Sequence, residues 1–289
     1  MRDMETTQNQ TTAPTLKFSV AMCVYKGDNA EHFDLALKSV TDDQTVKPDE
    51  IVLVVDGPVT EALDAVIEKY ATQDFFNVIR LETNQGHGNA RRIGLKACHY
   101  DLVALMDADD ISASDRFEKQ LEKFTNTPSL SLVGGNISEF IGESKNIVGY
   151  RLVSEDQKSI ESDLKKRCPF NQVTVMFKKS AVEKVGGYVD WFCEEDYYLW
   201  LRMYLADMEF CNLSDILVNV RVGEDMYRRR GGWKYFQSEA KLQNYMRKNK
   251  IIGFGTYFVN VTKRFIVQIL LPNKLRGWVF KKFARKSNV

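Results

Sequence analysis

Short apolar runs alternate with stretches of helical period along the first hundred residues. Residues 16–24 (LKFSVAMCV) form a β-like run ending at Tyr25-Lys26-Gly27, and a helical pattern follows from about Glu31 to Val40. The segment 50–58 (EIVLVVDGP) is a near-continuous Val/Ile/Leu run, as expected for a strand buried on both faces. A helix is predicted over 60–72, a short strand over 77–81, a helix over 88–98 and another buried strand over 101–106 (DLVALM). Strand and helix thus alternate four times, which implies right-handed βαβ units and a mostly parallel sheet covered by helices. The fold class expected is α/β and Rossmann-like. Ligands of such sheets bind beyond the carboxyl ends of the strands. Three motifs stand there: Tyr25-Lys26-Gly27, Asp56-Gly57 and Asp107-Ala108-Asp109-Asp110.

The second half is more mixed. Strands are predicted over 130–140 and 146–152, a charged helix over 155–167 and a strand over 170–177. A helix ending at Gly186-Gly187, a helix over 195–205 (EDYYLWLRMYL) and an extended segment over 216–220 follow. No repeat or low-complexity stretch divides the body. The expected organisation is a polar, disordered tail over 1–15, one domain over 16–240 and a C-terminal extension over 241–289.

Composition changes this picture in two places. With 44% hydrophobic and 27% charged residues the chain of 289 residues is ordinary globular material, long enough for a large core. The first 15 residues lack an apolar h-region, so no secretory signal peptide is expected. The five cysteines (Cys23, Cys98, Cys168, Cys193, Cys211) and three histidines are scattered without metal-ligand spacing, as in a reducing compartment. The net charge of +1 hides an asymmetry: 12 of the 40 Lys/Arg lie after Glu239, whereas all 39 Asp/Glu lie at or before it. An acidic body carries a basic tail.

Several motifs carry candidate chemistry. Asp107 and Asp109 flank a small residue after the fourth strand; hard oxygen ligands in that arrangement suit Mg²⁺ or Mn²⁺. The alternative is that these carboxylates cap a helix starting near Ser112 or Ser114. Asp56 ends a buried strand ahead of Gly57, which reads either as a nucleoside-binding carboxylate with room for close approach or as an Asp-Gly turn. The stretch 84–95 (NQGHGNARRIGL) joins two glycines to Arg91 and Arg92, able to approach a diphosphate or to stand in water. Glu194, Glu195 and Asp196 precede an aromatic helix, a setting for a general base or for simple matching to the helix dipole. Arg228, Arg229 and Arg230, ahead of two glycines, suggest a phosphate-contacting loop or a solvated charge run.

Taken together, these segments resemble family 2 glycosyltransferases of the GT-A fold. The likeness runs through SVAMCVYKGD, DEIVLVVDGP, NQGHGNARRIGL, LMDADDIS, RFEKQ, LVGGNISEF, PFNQVTVMFKKSAVEKVGGY, EDYYLWLRM, MYRRRGGWKYFQSE and LLPNKLR, nearly the whole chain after residue 16. It is nearest to bacterial enzymes of O-antigen and exopolysaccharide assembly, such as the amylovoran-type transferases. The resemblance implies an inverting, UDP-sugar-dependent hexosyltransferase needing Mn²⁺ or Mg²⁺. It implies that Asp56 contacts uridine, that Asp107 and Asp109 form the D-x-D motif with Asp109 nearest the metal, and that Glu195-Asp196 holds the base, Asp196 by preference. Tyr25, Gly57, Arg91, Arg92 and Arg229 complete the expected donor site. The implied acceptor is GlcNAc on a diphosphate-linked undecaprenyl lipid, joined by a β-1,3 linkage to galactose or glucose. Only RGGW (230–233) echoes the Q-x-x-R-W of processive synthases, so one sugar per acceptor is expected.

Residues 251–271 look almost membrane-spanning, but Lys263 and Arg264 interrupt them. Two central charges would cost about 5–7 kcal/mol, which favours an interfacial amphipathic helix facing anionic lipid. The alternative is a helical pair docked on the body. Peripheral attachment to the cytoplasmic face of a bacterial inner membrane through the basic extension is expected, with no nucleic-acid partner. Two other functions compete. A sugar-nucleotide pyrophosphorylase would need a G-x-G-T-R loop that Tyr25-Lys26-Gly27-Asp28 does not supply. A catalytically dead assembly factor is at odds with intact Asp107, Asp109 and Asp196.

Overall fold

The computed structural model describes residues 16–223, 231–272 and 275. Its first four strands are β1 (Phe18–Val24), β2 (Glu50–Val55), β3 (Phe76–Arg80) and β4 (Leu102–Met106), paired in parallel in the order β3-β2-β1-β4. Each crossover is a helix: α1 (Ala30–Val40), α2 (Glu61–Ala71) and α3 (His87–Ala97). β2 and β4 are buried at every position, as their unbroken apolar runs predict. The chain winds from β1 out to β3 and returns to the other side of β1 with β4. The ends of β1 and β4 therefore flank a topological switch point, where a crevice opens between loops that diverge.

Beyond β4 the sheet becomes mixed. β5 (Ile111–Ser112) precedes α4 (Arg116–Asn126); β6 (Leu130–Phe140) and β7 (Ile147–Arg151) form a hairpin; α5 (Gln157–Leu164) leads towards β8 (Met176–Lys178). β8 pairs antiparallel with both β4 and β6, and β9 (Glu209–Arg221) runs parallel to β6. Between them lie α6 (Lys179–Lys184) and α7 (Glu195–Leu205).

Side chains alternate across the sheet and split the core in two. Val20, Met22, Ile51, Leu53, Ala104 and Met106 pack with α1, α2 and α4 on one face. Ala21, Val52, Val103 and Leu105 pack with Leu95, Ile160, Val182, Leu199, Trp200 and Met203 on the other. Trp200 is wholly buried there, as expected of a core residue. A third cluster joins Leu164, Tyr197 and Leu201 to Leu242, Met246, Ile251 and Ile252, so that α8 (Trp233–Lys248) docks on α7. α9 (Phe254–Phe265) follows and continues as a π-helical turn over Ile266–Leu270.

The elements depart from the predicted ones at three places. The expected strand over 170–177 is a short 3₁₀ turn at Gln172–Thr174 followed by β8. Asn171 Nδ2 donates to Gly135 O and Thr174 Oγ1 to Asn171 O, local bonds that replace a ladder. β9 begins well before 216, because register shifts against β6 absorb its polar residues. The helix after the acidic cluster starts at Arg116 rather than near Ser112 or Ser114, since Ile111 and Ser112 pair with β9.

Candidate active site

Asp56 follows β2 and is buried. Its two carboxylate oxygens accept the Gln85 and Gly86 N–H groups at 2.6 and 3.0 Å, and its carbonyl accepts Asn84 Nδ2 at 3.1 Å. Asp56 thereby shapes the loop that enters α3. Gly57 has φ +85°, and a Cβ there would lie 2.6 Å from Asn84 N, so the close approach requires glycine.

Arg91 on α3 is buried and bridges two elements. Its Nη2 lies 2.9 Å from Asp107 Oδ1 at the end of β4, and its Nη1 lies 3.4 Å from Glu195 Oε1 at the start of α7. Burial pushes the Asp107 carboxyl up, but the Arg91 charge outweighs it and holds the carboxyl below the usual range. Arg92 is exposed and donates to Asn89 Oδ1 on its own helix, away from the crevice. The two adjacent arginines thus separate: one internal counter-ion, one surface residue. His87 stands at the crevice wall with its pKa lowered to about 4, first by the Arg91 charge and then by the surrounding protein.

The crevice beyond β1 and β4 is a cavity of about 740 Å³. Five carboxylates line it, from Asp28, Asp56, Asp107, Asp109 and Asp110, together with Tyr25 and Gly27. Arg221 is the only Lys or Arg among its described lining residues. Asp28 accepts the Tyr25 N–H at 2.9 Å, yet burial, then repulsion from Asp109 and Asp107, raises its pKa to about 6. Asp110 is raised well above the ordinary value, by burial first and then by Asp109 and Asp107. It accepts the Arg221 N–H at 2.8 Å, while Arg221 Nε donates to Asp109 O at 3.1 Å. The carboxylates of the acidic turn therefore do not cap α4; Asp110 instead ties the turn to β9. So lopsided a donor set fits a hard divalent cation whose remaining ligands come from substrate phosphates and water. Among the described residues no group of three or more His, Cys, Asp or Glu is placed to hold a metal ion by itself.

A second cavity, of about 510 Å³, meets the first at Asp107, Asp110 and Val220. Asp196, Glu194, Tyr197, Phe170, Gln172, Tyr235, Glu239 and Arg264 contribute to its wall. Asp196 faces this cavity, and burial raises its pKa although Arg91 opposes the shift. Glu195, on the neighbouring position, turns to Arg91 and lines neither cavity. Its pKa is also raised, by burial and then by Asp196, with Arg91 opposing.

Three further residues shape this region. Arg116 is fully buried beneath β4, donates Nη2 to Leu105 O at 2.9 Å and has its pKa lowered to about 9 by burial, with Asp107 opposing. The signal available for it is that Arg116 and Gln120 share the buried face of α4 with Phe117, Leu121 and Phe124. Arg221 and Asp28 carried no motif of their own. Arg229, the remaining predicted donor residue, lies outside the described residues together with Arg228 and Arg230.

Comparison with known proteins identifies the family. The chain is 35% identical over 272 residues to the UDP-Gal:alpha-D-GlcNAc-diphosphoundecaprenol beta-1,3-galactosyltransferase of Escherichia coli, covering 94% of this chain and 98% of that protein. It is 35% identical over 268 residues to the amylovoran biosynthesis glycosyltransferase AmsE of Erwinia amylovora, covering 92% and 98%. Among solved structures, Staphylococcus aureus TarS 1–349 in complex with UDP-GlcNAc superposes with a TM-score of 0.63 at 17% identity, over 87% of this chain and 73% of that one. This last likeness concerns the fold alone. The model of Glycosyl transferase family 2 matches residues 19–186, from β1 past β8, and the chain belongs to that family of glycosyltransferases.

Proposed function

We propose that this glycosyltransferase moves one hexose, galactose or glucose, from a UDP-sugar to GlcNAc carried on an undecaprenyl diphosphate. The product is a β-1,3 linkage in a repeat unit of an O-antigen or exopolysaccharide. The observation carrying this reading is the meeting of two cavities at Asp107 and Asp110, one rich in carboxylates and one walled by Asp196 and aromatic side chains. It stands in a chain sharing 35% identity with the UDP-Gal:alpha-D-GlcNAc-diphosphoundecaprenol beta-1,3-galactosyltransferase of Escherichia coli.

In this reading the nucleotide occupies the larger cavity. Asp56 receives the uridine beside Gly57, with Tyr25 alongside, and Asp107 and Asp109 would hold Mn²⁺ or Mg²⁺. The cation, when bound, offsets the charge that develops on the diphosphate leaving group. The acceptor hydroxyl lies in the smaller cavity against Asp196. As its oxygen forms the bond to the anomeric carbon, Asp196 takes its proton, and the bond to UDP breaks on the opposite face. One displacement therefore inverts the configuration. Burial makes Asp196 a stronger base than an exposed aspartate. Glu195 keeps Arg91 in register, and Arg91 holds Asp107 ionised towards the donor.

An acceptor on a lipid diphosphate places the enzyme at the cytoplasmic face of the inner membrane, attached peripherally through the basic segment 241–289. Among the described residues no helix is long and apolar enough to cross a membrane. The test is transfer by the purified full chain to a synthetic GlcNAc-diphosphate-lipid from a panel of UDP-sugars, with Mn²⁺ and with EDTA. Metal-dependent transfer from UDP-galactose or UDP-glucose is expected. Neither transfer nor donor hydrolysis with any UDP-sugar would overturn the reading.

A further inference from the structure

α9 carries polar side chains in the middle of its inward side: Asn260 Nδ2 donates to Lys165 O at 3.0 Å and to Gln243 Oε1 at 2.9 Å. Arg264 Nε lies 2.7 Å from Glu239 Oε2, and Gln268 Nε2 donates to the same oxygen at 2.6 Å. These residues recur every four positions and seat the helix on α8 and on the end of α5. The outward side, at the same spacing, carries large apolar side chains on both sides of an exposed Thr262. Phe254 is 71% exposed, Phe258 62% and Leu270 60%, with Val259 and Ile266 exposed between them.

A helix solvated by water puts its apolar stripe inwards and its polar residues out. Here the inward contacts of Asn260, Arg264 and Gln268 are polar, and although Tyr257 packs on the third cluster and Phe265 on Phe236, the large side chains of Phe254, Phe258, Ile266 and Leu270 stand exposed. Monomeric soluble proteins rarely expose such a contiguous apolar stripe. The charge around it is of one sign. Arg247, Lys248, Lys250 and Lys263 are exposed near the stripe, and no Asp or Glu occurs after Glu239. An apolar stripe edged by cations matches a leaflet with anionic headgroups over acyl chains.

We propose that the outward face of α9 and its π-helical continuation, Phe254, Phe258, Val259, Ile266 and Leu270, is a lipid-docking surface that lies in the headgroup–acyl boundary of an anionic membrane. The inference sharpens, and rests on, the peripheral attachment given above. It replaces a general pull by the basic segment with a specific inserted face. The same helix lines the acceptor cavity through Arg264, and Arg264 pairs with Glu239 on that wall. Docking therefore fixes the acceptor cavity relative to the bilayer in which the acceptor's lipid is held.

The experiment compares the full chain with the triple variant Phe254→Glu, Phe258→Glu, Ile266→Glu. Vesicle co-sedimentation is measured on phosphatidylglycerol-containing and on purely zwitterionic vesicles. Transfer is measured to a water-soluble, short-chain GlcNAc-diphosphate acceptor and to the undecaprenyl acceptor in vesicles. Binding to the anionic vesicles is expected to fall at least ~10-fold in the variant, the scale of losing several inserted side chains. Transfer to the soluble acceptor stays at the wild-type rate, which also shows that the variant is folded, while transfer in vesicles falls. Lys248→Gln with Lys263→Gln is expected to weaken binding to anionic vesicles alone. Wild-type vesicle binding by the triple variant would overturn the proposal. So would a wild-type dimer in sedimentation velocity that the variant converts to monomers without a change in vesicle binding. Absence of transfer to either acceptor, with vesicle binding intact and lost in the variant, would instead count against the acceptor assignment and leave the docking face standing.

Discussion

Arg91 Nη2 lies 2.9 Å from Asp107 Oδ1 while Nη1 of the same guanidinium reaches Glu195 Oε1 at 3.4 Å. One buried cation thus ties the end of β4, assigned above to the leaving group, to the first turn of α7, assigned above to the base. Replacing it by Met leaves two carboxylates facing each other without their counter-ion. Arg91→Met is expected to lose about 3 kcal/mol of stability, since removing one partner of a buried pair strands the other charge. Urea unfolding of the variant against the wild type measures this, and Arg91→Lys should recover part of it.

Asp196 and Glu195 are adjacent, yet only Asp196 faces the cavity assigned to the acceptor. Asp196→Asn is expected to reduce transfer roughly 10²–10⁴-fold, the usual worth of a positioned general base. UDP-sugar affinity, read by calorimetry, should hardly change. Glu195→Gln should lower transfer less and should disturb donor affinity through Arg91. A near-normal rate in Asp196→Asn would move the base elsewhere.

With Asp196 assigned as the base, its raised pKa is expected to set the acid limb of the pH profile. The base acts when ionised, so kcat/KM should fall as pH drops through the raised value, at a pH above the ~4 of an unperturbed aspartate. A limb at ordinary carboxylate pH would contradict the burial argument.

Glu194, buried at the start of α7, has its pKa raised well above the usual value by burial first, then by Glu239 and Asp196, with Arg264 opposing. A carboxyl raised on folding contributes stability that is present below its unfolded pKa and is lost as pH rises through the folded one. Glu194→Gln carries no charge and can still donate to Glu239. Its Tm should exceed that of the wild type by more at pH 8 than at pH 5, as scanning calorimetry will measure.

Gly57→Ala places a methyl 2.6 Å from Asn84 N at φ +85°. It should cost roughly 1–3 kcal/mol and raise KM for the donor more than it lowers kcat, because the displaced loop carries the Asp56 contacts. Steady-state kinetics with varied UDP-sugar separate the two effects.

The parallel half of the sheet was legible because apolar runs such as EIVLVV and LVALM have only one comfortable environment, the middle of a sheet covered on both faces. Their carboxyl ends carried Asp56 and Asp107 in the open, so the likeness to family 2 glycosyltransferases could be read from short motifs. What adjacency in the chain cannot distinguish, rotation about a helix axis decides. Arg91 and Arg92 differ by one position and end up in the interior and in water; Asp196 and Glu195 divide likewise between a cavity and an ion pair. Arg221 enters the site through a contact across a long separation in the chain, the bond from its N–H to Asp110, which no local pattern announces. The amphipathicity of α9 was visible in its residues, but which side faces outwards was not. That was settled by the polar partners Lys165, Gln243 and Glu239, which take up Asn260, Arg264 and Gln268 and turn Phe254 and Phe258 towards the exterior.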